Sequence, residues 1–520
     1  MCGERTPSAQ EAPFTYRSGL GCEERGLRDR FALGQIAMKL FQYVRQARAD
    51  QFLFPVVVLT WIGLSIRILP DRDADRGIFV STAERLLAGD RLYSGVFDNK
   101  EPLFYYFIAA QRALGWGAEI AAEAMLLLLA AAAVYLLAIK VTSRWTAIAV
   151  SLLAAPIVLI GGYYTPGYSE LPGVVLAPIG IALAFYDRPF LAGCCIGTLI
   201  FAKLIYVPIA IAGVGCVVII HRRPQDLLLV AAATAASALS VVGILFIRGE
   251  FWPFIEGIKL NIAYSQGPFV GGTTRLETWG AHLKLAGGSG LSGQIILIIL
   301  VDVVALFQLF FSDRAREGVA MALVSLAILP VSLGILAITG LWEHHVQILY
   351  IPTLISIVAV APLFELAARK APVLTLLTVI LCACILGGPV TMNRYLSSIK
   401  NFRSTLAQMS TLPPEARQVL AVGDSGTYAR LGQNDDLGHA IGLRNWHLAC
   451  PRFHQYPFLP KELLDEVRDC ASKTPVLILS AALKTRDTGP AEWNEFVTDI
   501  ESLVKSYHCD DVSGVRVCRR

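Results

Sequence analysis

Apolar and polar positions alternate along this chain in long blocks. Runs of about 17 to 25 apolar residues, the length that crosses roughly 30 Å of hydrocarbon as a helix, recur from Phe52 to the neighbourhood of Pro389. They predict a polytopic α-helical membrane protein with about eleven spans, over 52–69, 120–140, 146–161, 172–186, 189–202, 204–220, 227–247, 291–311, 318–339, 346–365 and 372–389. Residues 1–50 are polar and mixed in charge, so a retained cytoplasmic tail is expected rather than a cleaved signal peptide. After Pro389 ordinary polarity returns. Buried strands are predicted at 418–422, 475–479 and 514–518 and helices at 460–471 and 491–507, a small C-terminal α/β domain over 390–520. The multi-span domain is then 51–389.

Composition agrees with this division. With 55% hydrophobic and 17% charged residues the chain is too apolar for a soluble globular protein, in which nearer a quarter of residues are charged. The net charge of +4 matters less than where the cations sit, and no nucleic-acid partner is expected. Arg45–Arg48, Lys140–Arg144, Arg188, His221–Arg223, Arg314–Arg316 and Arg369-Lys370 all fall on one side of the alternating spans, which should be the cytoplasm. The other side receives loop 70–119, loop 248–290, the turns 162–171 and 340–345, and the C-terminal domain. A multi-pass protein of the inner (cytoplasmic) membrane, with a periplasmic or extracellular C-terminal domain, is the expectation.

Cysteine placement fits that topology. Cys194, Cys195, Cys216, Cys382 and Cys384 lie in apolar spans and read as small hydrophobes, whereas Cys450, Cys470, Cys509 and Cys518 lie where disulfides persist. Four cysteines allow three pairings; Cys450–Cys470 with Cys509–Cys518 is the preferred one.

Chemistry concentrates in loop 70–119, where acidic and basic side chains are held between two apolar runs. Residues 74–89 place Phe79, Ala83, Leu86 and Leu87 in the i, i+4, i+7, i+8 stripe of an interfacial helix ended by Gly89. Asp75 stands at its start, near the positive end of the helix dipole. Asp71, Asp73 and Asp75 equally suit a purely local task of capping that helix and solvating the loop. The turn at Gly423-Asp-Ser-Gly426 lacks the Lys-Ser/Thr of a phosphate loop and reads as a strand-to-helix turn.

Asp75-Arg-Gly-Ile-Phe79, Leu86-Leu-Ala-Gly-Asp-Arg-Leu-Tyr93 and Phe97-Asp-Asn-Lys-Glu-Pro-Leu-Phe-Tyr-Tyr106 together resemble the first external loop of bacterial C-type (GT-C fold) glycosyltransferases related to family 39, the protein mannosyltransferase and aminoarabinose transferase group. His344-His345-Val-Gln-Ile-Leu-Tyr-Ile-Pro352 is similar to a segment that opens a late span in these enzymes. The resemblance implies transfer of a sugar from a polyprenyl-phosphate donor to a lipid-linked glycan, polysaccharide or protein acceptor at the outer membrane face. It places Asp75 at the catalytic acidic position, as base for inverting attack of an acceptor hydroxyl. Cations must then meet the leaving phosphate; Lys100, Arg76, Arg85 and Arg275 are external candidates, Lys100 foremost.

The chain departs from the family pattern in two places. Arg76 stands where a second acidic residue is usual, and Glu101 replaces the first Pro of Lys-Pro-Pro. Asp73 or Asp98 could therefore supply the second carboxylate, and the base itself is either Asp75 or Asp73. His344 and His345 suit a divalent cation held with Asp73 or Asp75, a hydrogen bond to phosphate, or simple interfacial solvation beside Trp342. Glu170 could contact the acceptor or mark a membrane-surface turn. Phe251, Trp252, Phe254, Tyr264, Phe269 and Trp279 suit either a lid over the site or an aromatic belt.

A polytopic transporter or lipid-linked glycan flippase would carry its ionisable residues inside the spans, where Lys203 and Asp302 are the clearest. A scaffold that binds envelope glycans through its external domain is a third reading.

Overall fold

The computed structural model describes residues 74–144, 146–148, 150–151, 169–266, 291–307, 315–339, 343–370, 426–431, 446–452, 455, 459–480, 483, 490–512 and 515–520, all within the unit Val56–Arg520. The predicted spans 52–69 and 372–389 and most of 146–161 lie outside these residues, as does the predicted strand 418–422.

Among the described residues, three helices are long and apolar enough to cross a bilayer, by length and composition: Ala121–Val141 within α3 (Trp116–Val141), α7 (Asp226–Arg248), and Arg316–Ile338 within α10 (Ala315–Thr339). The other predicted spans that fall within the described residues are shorter. Helices α4 (Leu171–Phe185), α5 (Pro189–Ala202) and α6 (Val207–Ile220) each open with a proline in the first turn, where its missing N–H costs nothing. Fifteen residues rise only about 22 Å, less than the hydrocarbon thickness. Predicted span 346–365 is likewise broken, into a 3-10 segment Glu343–Leu349 followed by α11 (Tyr350–Ala359) and α12 (Ala361–Lys370). Helix α9 covers Leu291–Phe307.

Small residues let α5 and α7 meet closely. A Cβ on Gly193 would stand 2.3 Å from the Val230 carbonyl oxygen, and one on Gly197 2.5 Å from that of Thr234. This Gly-x-x-x-Gly spacing lets the α5 and α7 backbones meet, and the Thr234 hydroxyl donates to the Gly193 carbonyl at 3.1 Å. The opposite face of α7 is exposed at Leu228, Leu239 and Ile247, as a lipid-facing surface would be. Gly193→Val is expected to force the two helices apart at about 1–3 kcal/mol of overpacking cost. Thermal unfolding in detergent checks it: an unchanged midpoint would contradict the contact.

Loop 70–119 folds into α1 (Ala74–Leu87) and α2 (Pro102–Leu114), and loop 248–290 opens with α8 (Phe251–Gln266). The C-terminal segment holds a five-stranded sheet in the order β2-β1-β3-β5-β4, formed by Trp446–Leu448, Gly426–Leu431, Val476–Ser480, Val515–Arg519 and His508–Val512. Strand β1 runs parallel to β2 and β3, and β5 runs antiparallel to β3 and β4. Helices α13 (Lys461–Ser472) and α14 (Ala491–Val504) cover one face, burying Leu464, Val467, Trp493, Phe496 and Val497 against Ala429, Leu431, Leu477 and Leu479. Tyr428 and Ile478, which alternate with those residues, bury into the core of the α1–α2 region instead. Burial on both faces is why β3 reads as an unbroken apolar run rather than an alternating one.

Disulfides join Cys450 to Cys470 and Cys509 to Cys518. The second links directly opposed residues of β4 and β5, whose Cα atoms are 4.0 Å apart.

Candidate functional site

Helices α1 and α2 lie side by side in the same sense. The Phe79 ring meets the edges of Phe104 at 4.8 Å and Tyr105 at 6.3 Å, and further along Glu84 forms an ion pair with Arg112. Both N-termini therefore point to one end, where Asp75 in the first turn of α1 stands level with the segment leading into α2. The predicted boundary at Gly89 holds: its φ of 100° suits the residue after the helix. The predicted setting does not. Phe79, Ala83 and Leu86 are buried against protein, in a core that includes Tyr105, Phe201, Leu245 and Phe254, while Leu87 is 50% exposed. The aromatic face of α2 gives the stripe a better-packed partner than a membrane surface would.

A tight turn follows α1. The Gly95 amide donates to the Arg91 carbonyl at 2.8 Å and the Tyr93 amide to the Val96 carbonyl at 2.7 Å. Arg85, a sequence candidate for phosphate binding, braces this turn: it pairs with Asp90 and donates to the Gly95 carbonyl at 2.9 Å.

The segment Asp98–Glu101 is anchored from several sides. Asp98 is buried; its Oδ1 accepts from the Asn99 amide at 2.7 Å and its Oδ2 from the Tyr105 hydroxyl. Burial first, and then the Asp98 carboxylate, hold the Tyr105 hydroxyl well above its usual range, so it stays a donor. The Tyr93 hydroxyl, raised by burial and then by Glu101 and Asp98, donates to the Lys100 carbonyl at 2.7 Å. Asn261 of α8 donates to the Asn99 carbonyl at 2.5 Å. Glu101, the residue in place of proline, accepts from the Leu204 amide at 2.9 Å and so ties the segment to the 3-10 turn Leu204–Tyr206.

Glu250 is a site residue that the sequence reading missed. It is fully buried, accepts from the Leu92 amide at 3.1 Å and the Tyr106 hydroxyl, and pairs with Arg248 at 3.1 Å. Its signal was a lone acid directly after the helix-ending Gly249, whose φ is +71°. Phe254 of α8 packs into the same core against Tyr93 and Phe201, while Trp252 is 68% exposed. This first part of loop 248–290 is thus anchored; the rest of the aromatic series, Phe269 and Trp279, lies outside the described residues, and Tyr264 is placed by its backbone alone.

Glu170 does not face solvent. It is buried in an ion pair with Lys203, Oε1 to Nζ 2.7 Å, and the Lys203 ammonium also donates to the Ser169 hydroxyl at 2.7 Å. Lys203 is likewise buried rather than lying at an external turn, because the chain breaks between α5 and the 3-10 turn inside the helix cluster. Asp302 is buried on α9.

Asp73 and Arg275 lie outside the described residues; Asp75, Arg76 and His344 are placed by backbone only, and His345 is partly buried in the 3-10 segment 343–349. Lys100 is half-buried at the mouth of α2. Among the described residues no three His, Cys, Asp or Glu side chains gather as a metal site.

No protein-family model matches the chain, and no curated protein is a significant match. Among solved structures, the crystal structure of the Archaeoglobus fulgidus oligosaccharyltransferase in complex with Zn and sulfate is 14% identical, matching 82% of this chain and 68% of its own with a TM-score of 0.41. The archaeal oligosaccharyltransferase AglB from Archaeoglobus fulgidus, in complex with an inhibitory peptide and a dolichol-phosphate, is 12% identical over 89% of this chain and 73% of its own, with a TM-score of 0.45. No residue correspondence follows from similarity at that level.

Proposed function

We propose that this chain is a membrane glycosyltransferase of the GT-C kind that moves a sugar from a polyprenyl-phosphate donor to a cell-envelope acceptor at the outer membrane face. The observation that supports the reading is the side-by-side packing of α1 and α2 in the same sense, which puts the first turn of α1, with Asp75 in it, at the same end as the anchored Asp98–Glu101 segment. Asp75 takes the proton of the acceptor hydroxyl as its oxygen bonds to the anomeric carbon. The bond from that carbon to the phosphate oxygen breaks, and polyprenyl phosphate leaves with inversion. Two helix N-termini at one end favour the departing anion, and Lys100 beside them adds a full positive charge, with Arg76 and Arg275 as further candidates. Asp98, with Tyr105 and Asn99 on its oxygens, holds the segment in register in this scheme. Two disulfides in the C-terminal segment fit an oxidising compartment outside the cytoplasm.

The test supplies purified protein with a panel of polyprenyl-phosphate sugars and follows donor-dependent transfer or slow hydrolysis. Lys100→Ala is expected to cut turnover by about 10–100-fold, with a smaller effect for Lys100→Arg, because a displaced charge is lost from the transition state. Equal turnover in both variants would remove Lys100 from the phosphate. One observation favours a transporter or flippase: the buried Glu170–Lys203 pair and Asp302 sit among apolar helices. That reading predicts no donor turnover and substrate movement across vesicles.

A further inference from the structure

Besides Tyr428 and Ile478, which bury in the α1–α2 core, a short segment after β2 ties the sheet to the candidate site. The Pro451 carbonyl accepts from the Phe97 amide at 2.9 Å, one residue before Asp98. The Arg452 guanidinium lies over the Phe97 ring at 4.4 Å, an arrangement in which the cation meets the negative face of the ring. Among the described residues the Nη1 of Arg452 has no hydrogen-bond acceptor, so the ring is the partner at that end, while its Nε donates to Glu466 at 2.9 Å. Glu466 and Cys470 both belong to α13, and Cys470 is disulfide-bonded to the fully buried Cys450. On the other side the Ala449 amide donates to the Tyr428 carbonyl at 2.8 Å, and the Tyr428 side chain buries in the α1–α2 core. Residues 449–452 are therefore fixed to β1 and to α13 at once, and their free edge meets Phe97.

We propose that Arg452 is a positioning residue for the segment Phe97–Glu101, and that the Cys450–Cys470 bridge is the anchor from which it acts. The segment is short, irregular and held by side chains; a strut from the sheet fixes where Asp98 and Lys100 stand relative to the start of α1. Arg452 touches no reacting atom in this scheme. It acts through the Phe97 ring and through the backbone bond it shields.

The first measurement is hydrogen exchange in the full-length protein in detergent, over peptides covering 94–101, β1 and β3. Arg452→Ala is expected to speed exchange of the Phe97 amide at least tenfold with β1 and β3 unchanged, Arg452→Lys to restore part of the protection, and Cys450→Ser/Cys470→Ser to act in the same direction. Unchanged exchange at Phe97 in Arg452→Ala overturns the proposal. Should that variant unfold, Glu466→Leu removes the acceptor of the guanidinium without touching the site; it is expected to raise exchange at Phe97 about threefold, and no rise overturns the proposal equally. The second measurement rests on the glycosyltransferase reading: Arg452→Ala should lower kcat about tenfold and leave the donor KM within twofold. A wild-type protein without turnover would sink that reading and leave the exchange result to stand or fall alone.

Discussion

Asp75→Asn is expected to abolish sugar transfer while expression, membrane insertion and thermal unfolding stay as in the wild type. A positioned general base contributes about 10²–10⁴-fold to rate, and the amide keeps the size of the side chain but cannot accept the proton. In the proposed mechanism the start of α1 suits such a base, because a helix N-terminus favours a negative charge in its first turn. The measurement is initial rate with a polyprenyl-phosphate sugar at saturating acceptor, run beside Asp73→Asn and Asp98→Asn. If Asp73→Asn alone carries the loss, the base moves two residues upstream. If Asp98→Asn lowers the unfolding midpoint as well as the rate, its work is holding Tyr105 and Asn99, as its two accepted hydrogen bonds indicate. Full activity in Asp75→Asn would leave the mechanism without its central step.

Local pattern carried the reading of individual elements a long way. Predicted helix 74–89 ends two turn residues past Ala74–Leu87, and 460–471 and 491–507 lie over Lys461–Ser472 and Ala491–Val504, because apolar period, proline at the start and glycine at the end are properties of neighbouring residues. The segment Phe97–Glu101 stood out by its charges for the same reason. What covers an apolar stripe is another matter. The period of Phe79, Ala83 and Leu86 requires a dry partner without naming it, and α2 with Phe254 and the underside of the sheet takes the place given to the membrane surface. Glu250 was illegible because its partners, Leu92 and Tyr106, lie 158 and 144 residues away. Ile478 was hidden by the double burial of β3, which erases the alternation that would have revealed a second contact face, and Tyr428 because strand β1 begins at Gly426, where the turn was expected to lead into a helix. Lys203 looked like the marker of a turn; the chain does break there, but inside the helix cluster, where a charge needs an opposite charge.

That charge gives the largest effect expected on stability. Lys203→Met leaves the Glu170 carboxylate fully buried with its cation gone, and removal of one member of a buried pair costs about 3–5 kcal/mol. Glu170→Leu leaves an uncompensated ammonium and should cost as much, with Ser169 the one remaining hydroxyl partner of Lys203 among the described residues. The double variant Glu170→Leu/Lys203→Met removes both desolvation penalties and is expected to recover most of the lost stability, since well-packed apolar groups often equal or exceed an ion pair in such a setting. Unfolding in mixed micelles followed over the four proteins of the cycle measures the coupling; single variants as stable as the wild type would contradict the buried pair. The same cycle separates the two functional readings. Glu101 binds the amide directly after Lys203, so a pair that serves only to hold this junction leaves sugar transfer intact once the double variant restores the fold. A transporter that moves a charge through the helix cluster would regain stability in the double variant and still lose its activity, because the ionisable groups themselves would be the path.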